Sequence, residues 1–131
     1  MSYVLVVDDD PDVRSVLAML LGLHGYDVVE AEGGAEALSH IDGHGVPSLI
    51  LLDLRMPGMS GEELLEALRA RMAAAKRRRP PIVVLSGDVG LGGRAGALGV
   101  DAMLQKPVDL TELLDTVARL ADGAPRAVRP A

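Results

Sequence analysis

Five times along the chain a short aliphatic run is followed by a longer stretch of helical periodicity. Tyr3–Val7, Asp27–Ala31, Ser48–Leu52 and Ile82–Ser86 carry Val, Leu and Ile in runs too short to be helices, and Ala102–Gln105 is a fifth short apolar run. Runs of this kind suit strands that are buried on both faces of a parallel sheet. After the first run, Asp10 reads as an N-cap and Pro11 as the first helical residue. Val13, Val16, Leu17, Leu20 and Leu21 then make one apolar stripe, and Gly25 closes the helix. A short helix is predicted over residues 34–41, with Ala37, Leu38 and Ile41 inward, ending near Gly43. Ser60 and Glu63 have capping-box spacing ahead of Leu64, Leu65, Leu68 and Met72. Residues 88–99 read as a poor helix crowded with glycine. Asp109, with Glu112 three residues on, caps a last helix with Leu110, Leu113, Leu114, Val117 and Leu120 inward. Strict alternation of this kind predicts a doubly wound α/β fold: five parallel strands with helices on both faces. One domain is expected over residues 1–121, and 122–131 read as a flexible tail or the start of a linker.

Composition removes several function classes. The 131 residues hold one core and leave no room for a second unit. With no Cys there is no disulfide framework, thiolate metal site or cysteine nucleophile, which fits a reducing cytoplasm. Phe and Trp are absent and the net charge is −6, so neither base stacking nor phosphate-backbone contact is favoured, and no direct nucleic-acid binding is expected. No apolar run approaches the ~18 residues of a membrane span. Asp8, Asp9 and Asp10 follow the first apolar run too closely for a signal peptide. A cytoplasmic location away from membranes is expected.

The polar residues at strand ends carry the chemistry. Asp8 and Asp9 follow the first strand, Asp53 the third, Ser86 ends the fourth and Lys106 follows the fifth. All lie at carboxyl ends, where doubly wound sheets bind ligands beside a topological switch point. Three carboxylates gathered there repel, and a hard cation such as Mg²⁺ resolves the repulsion. Lys106 adds a compact positive charge and Ser86 a hydroxyl, so the set suits a phosphoryl group with a carboxylate as its nucleophile.

The segments VLVVDDDPDVR, LILLDLRMPGMSG, VVLSGD and LQKP, in this order and spacing, resemble the four signatures of the receiver domain of two-component response regulators. The similarity spans roughly residues 3–121. It implies a flavodoxin-like sheet in the order 2-1-3-4-5. It implies that Asp53 accepts a phosphoryl group from the phosphohistidine of a sensor histidine kinase or phosphotransfer protein. Asp9 and Asp53 would bind Mg²⁺ directly with the backbone carbonyl of Arg55, Asp8 would assist through water, and Ser86 and Lys106 would hold the phosphoryl oxygens. Such a chain is a switch that catalyses only its own phosphorylation and dephosphorylation. It acts through a downstream protein partner on the face of the fourth and fifth strands and the helices after them, and a homodimer is within what the resemblance allows. In that family the positions of Arg55 and Asp88 flank the route of the hydrolytic water, and the two are expected to pair and slow it. The sequence departs from the family in three places: Met103 stands where a switch aromatic is usual, Val108 where Phe is frequent and Gly87 where Ala is frequent. Without the aromatic, residues 89–98 are expected to be the moving element.

Competing readings are weaker. Asp8-x-Asp10 has the spacing of an Mg²⁺-dependent phosphohydrolase with an aspartyl nucleophile, but the hydroxyl residue expected soon after is missing. The chain also reads as the N-terminal receiver of a longer DNA-binding regulator. Gly90 to Gly96 mimics a dinucleotide fingerprint in the wrong place. His40 and His44 read as a surface pair with the helix interrupted at Gly43, and Lys76 to Arg79 as a solvated helix terminus.

Overall fold

The computed structural model describes residues 3–87 and 99–121. Residues 88–98, which hold Asp88 and all but the last residue of the helix predicted over 88–99, and the tail over 122–131 lie outside the described residues. The strands are β1 (Val4–Val7), β2 (Val28–Ala31), β3 (Leu49–Asp53), β4 (Ile82–Ser86) and β5 (Ala102–Gln105). Among the described residues the helices are α1 (Pro11–Leu23), α2 (Gly34–His44), α3 (Gly61–Ala74) and α4 (Leu110–Ala121).

All strand pairs are parallel and the order is β2-β1-β3-β4-β5, as the family resemblance implies. Val4 pairs with both Val28 and Leu49, and Asp53 lies opposite Leu85 on β4. Side chains alternate across a strand, so one aliphatic run feeds two cores. Leu5, Val7, Ile50, Leu52, Ile82 and Val84 pack with α2 and α3 on one face. Val4, Val6, Leu49, Leu51, Val83 and Leu85 pack with α1 and α4 on the other. Every residue of β1, β3 and β4 is buried, which explains their unbroken aliphatic composition. β2, at the edge, is only half-buried and carries the exposed Glu30.

Local signals set the helix ends. The Asp10 carboxylate accepts from the N–H groups of Asp12 and Val13, with proline starting the helix behind it. Ser60 and Glu63 form the capping box in both directions. Asp109 accepts from the Glu112 N–H at 3.0 Å. α1 ends in a Schellman turn, with Gly25 at φ 88° and the Tyr26 N–H reaching the Leu21 carbonyl.

Three expectations are corrected. Gly43 does not end α2: the helix runs to His44 and stops at Gly45, whose φ of 93° an L side chain rarely adopts. Gly43 has open space around it and sits on an exposed turn, where glycine costs helix stability without breaking the hydrogen-bond ladder. The rings of His40 and His44 therefore stack 4.2 Å apart on one helix face. Val16 is 49% exposed and Leu110 44% exposed, although their spacing places each on an apolar stripe. Both line an open groove between α1 and the segment from Lys106 to Leu110. Among the described residues, no helix is long and apolar enough to cross a membrane.

Candidate functional site

Because every strand is parallel, all five carboxyl ends lie along one edge of the sheet. β1 is flanked by β2 on one side and β3 on the other, so the chain direction reverses between β1 and β3 and leaves a crevice there. Asp8 and Asp9 leave β1 at this crevice and Asp53 ends β3 across it. One carboxylate oxygen from each of Asp8, Asp9 and Asp53 lies within 4.8 Å of the others. The three carboxylates expected at strand ends are thus brought together, and Lys106 Nζ reaches two of them. Ser86 closes β4, buried, and its carbonyl accepts the Lys106 N–H at 2.8 Å, tying the exit of β5 to that of β4.

Asp8 is held at every polar atom. Its N–H donates to the Ala31 carbonyl at 3.1 Å, and its carbonyl accepts from Arg14 Nη1 at 2.9 Å. Its Oδ1 accepts from the Asp10 N–H at 2.9 Å and its Oδ2 from Lys106 Nζ at 3.2 Å. A carboxylate 1% exposed needs such partners to offset the water it has lost. Asp9, one residue on, is exposed.

Asp53 is buried and faces Lys106 Nζ at 3.4 Å through Oδ2, while its Oδ1 accepts from the Arg55 N–H at 3.1 Å. Burial raises its carboxyl above the ordinary range, against the opposing pull of the Arg55 N–H and of the Lys106 charge. Burial alone would lower the Lys106 ammonium, but Asp53 and Asp8 outweigh it and hold the ammonium raised. At neutral pH Lys106 is a fixed positive charge between two carboxylates. The Lys106–Pro107 peptide is cis.

Gly61 backs the turn after Asp53. A Cβ there would stand 2.8 Å from the Leu54 Cα and 3.1 Å from the Asp53 carbonyl oxygen, so only glycine lets α3 start this close. Gly58, at φ 78°, turns the chain between them. Met103 is half-buried against the core on the α2–α3 face and presents no ring or hydroxyl. Asp10 stays out of the cluster, since its carboxylate is engaged at the α1 cap. Sequence reasoning missed Arg14. Its signal was a basic residue one turn into a helix that opens with acids, which says nothing of a contact to Asp8 and Glu30.

A family model for the response regulator receiver domain matches residues 4–118. The transcriptional regulatory protein KdpE of Mycobacterium tuberculosis is 36% identical over 116 residues, covering 87% of this chain and 48% of that protein. The sensor kinase/phosphatase CqsS of Vibrio cholerae is 36% identical over 118 residues, covering 88% of this chain and 17% of that protein. The chain thus spans half or less of the length of these curated relatives. Among solved structures, the chemotaxis protein CheY4 of Vibrio cholerae superposes with a TM-score of 0.80 at 30% identity, covering 92% of this chain and 98% of that one. TrrA of Thermotoga maritima, in complex with Mg(2+)-BeF, superposes with a TM-score of 0.76 at 31% identity over 92% of this chain and 99% of that one. With the family model matched across nearly all the described residues and the fold shared along whole chains, this protein belongs to the receiver domains of two-component response regulators, which are phospho-accepting signalling modules.

Proposed function

We propose that Asp53 accepts a phosphoryl group from the phosphohistidine of a sensor histidine kinase or phosphotransfer protein. One Asp53 oxygen bonds to phosphorus as the donor's nitrogen–phosphorus bond breaks, and the imidazole leaves with that electron pair and takes up a proton. The observation that carries this reading is the setting of Asp53 itself: a buried carboxylate at the switch point, with Lys106 Nζ 3.4 Å away and Asp8 and Asp9 beside it.

The donor set, three carboxylate oxygens within 4.8 Å, fits Mg²⁺. Asp9 and Asp53 would hold it directly with the Arg55 carbonyl, and Asp8 through water. Bound there, Mg²⁺ supplies charge that offsets both the carboxylates and the phosphoryl oxygens. The Mg(2+)-BeF complex of the Thermotoga maritima relative supports this assignment. Lys106 and Ser86 would hold the phosphoryl oxygens. Water later attacks phosphorus, releasing phosphate and restoring the carboxylate, so the chain turns over only its own phosphoryl group. The protein is cytoplasmic in this reading, with its domain over 1–121, and acts through a protein partner on the surface of β4, β5 and α4.

A protein donor must rest on the rim of the site. Beside Lys106 that rim is apolar: Val13, Val16 and Leu17 of α1 face Val108 and Leu110 across a groove. This surface suits the approach of a kinase helix. The phosphohydrolase alternative loses its second carboxylate, because Asp10 caps α1. The KdpE relative, of which this chain covers 48%, leaves a receiver of a longer DNA-binding regulator fully compatible with the same chemistry.

The test is intact mass after incubation with a small phosphodonor, with and without Mg²⁺. Wild type should gain one phosphoryl group only with the metal, and Asp53→Ala none. Equal labelling of Asp53→Ala would overturn the assignment.

A further inference from the structure

Arg14 lies one turn into α1 with its side chain 16% exposed. Its Nη1 donates to the backbone carbonyl of Asp8 at 2.9 Å, and its Nε to Oε1 of Glu30 on β2 at 3.2 Å. A long cationic side chain kept mostly from water and aimed at a neutral carbonyl is an uncommon use of charge. That carbonyl belongs to the peptide joining Asp8 to Asp9. The peptide is planar, so holding its oxygen sets ψ of Asp8 and with it the position of the Asp9 nitrogen. With the next peptide held by the Asp10 N–H on Asp8 Oδ1, the direction in which the Asp9 side chain leaves the backbone follows. Asp8 has three other anchors, at its N–H and at both carboxylate oxygens. Asp9 is exposed, and it is held through the peptides on either side of it: the Asp8 carbonyl on Arg14 and the Asp10 N–H on Asp8 Oδ1. Glu30, opposite Val6 in the β1–β2 register, fixes the guanidinium plane from the other side and balances its charge.

We propose that Arg14, braced by Glu30, is a positioning residue of the acidic cluster: it sets the Asp8–Asp9 peptide and so presents the Asp9 carboxylate to the cation. The proposal rests on the reading of that cluster as an Mg²⁺ site. Groups that orient metal ligands typically change metal affinity 10–100-fold when removed. A merely structural tie between α1 and β2 would lower stability and leave the affinity of folded molecules unchanged.

The experiment takes the full chain as wild type, Arg14→Ala, Arg14→Lys and Glu30→Gln, with folding of each checked by urea titration. Two quantities are read: Mg²⁺ affinity by calorimetry, and hydrogen exchange of the Asp10 amide without metal, since that amide donates to Asp8 Oδ1. Arg14→Ala should weaken Mg²⁺ binding about tenfold and speed exchange at Asp10. Arg14→Lys, with one ammonium for two acceptors, should recover part of both. Glu30→Gln should lose less than Arg14→Ala, because its amide oxygen still accepts from Nε. Should Arg14→Ala not fold, Arg14→Lys carries the same comparison. A folded Arg14 variant that keeps both wild-type affinity, within about twofold, and wild-type exchange overturns the proposal. If wild type itself binds no Mg²⁺, the metal reading of the cluster fails; the hold of Arg14 on the peptide then stands or falls on the Asp10 exchange alone.

Discussion

Lys76 occupies a backbone position made for glycine. It follows α3 at φ 54°, the left-handed region. Its own N–H donates to the Ala73 carbonyl at 3.1 Å, and the Arg77 N–H to the Met72 carbonyl at 2.9 Å. That is the bond pair of a Schellman turn, the same device that Gly25 completes at the end of α1. A Cβ in this conformation is costly, and glycine removes the cost while adding some unfolded-state entropy. Lys76→Gly is expected to stabilise the protein by about 0.5–1 kcal/mol, seen as a higher urea midpoint at unchanged slope. Gly25→Ala, which puts a Cβ at φ 88°, should move the midpoint the other way.

Among the elements, α1 serves two surfaces at once. Leu17 and Leu21 anchor it in the core, while Val16, Met19 and Leu23 stay open to water. The exposed Val16 and the α4 residue Leu110 stand on either side of the groove next to Lys106. A charge placed in that groove would have to be desolvated by an incoming protein helix, but not by a small phosphodonor. Val16→Asp should therefore slow phosphotransfer from a histidine kinase active on the wild type by about tenfold, a loss of about 1.4 kcal/mol at the interface. Labelling by the small donor should be unchanged, as should stability to within about 0.5 kcal/mol. Equal slowing with both donors would place the effect in the site rather than on the groove.

Across the whole molecule, the site joins β1, β3 and β5 through one ammonium between two carboxylates. The arrangement costs the metal-free fold something, because burial raises the Asp53 carboxyl above its unfolded value. A carboxyl raised on folding is penalised wherever it is ionised. The penalty is complete above the folded pKa and vanishes below the unfolded value of about 3.9. Asp53→Asn should then be more stable than wild type at pH 7 without metal, and the difference should close as the pH falls through that window. Thermal melts across pH, with both proteins freed of metal by chelator, measure it. Mg²⁺ should raise the melting temperature of wild type more than that of the variant, since it binds the folded carboxylate cluster. A wild type that is the more stable of the two at neutral pH without metal would show that Lys106 outweighs burial.

Strand positions, helix caps and the strand-end acids are legible in the amino-acid sequence because each is a local matter. A capping box needs four residues, Ser60 to Glu63, and a buried strand needs only its own aliphatic run. Parallel order then carries Asp8, Asp9, Asp53, Ser86 and Lys106 to one sheet edge without further information. Contacts between elements are a different matter. The periodicity of α1 says that Val16 shares a side with Leu17, but that Val16 lines an open groove depends on where the Lys106–Leu110 segment passes. Gly43 looks like a helix end until the positive φ of Gly45 shows where the ladder stops. Arg14 reaches Asp8 at the end of β1 and Glu30 on β2, partners six positions back and sixteen positions on. Their meeting depends on the right-handed return of β2 alongside β1, which no periodicity within α1 encodes. The chemistry of the site follows from residue types at strand ends; its bracing follows from which strands lie side by side.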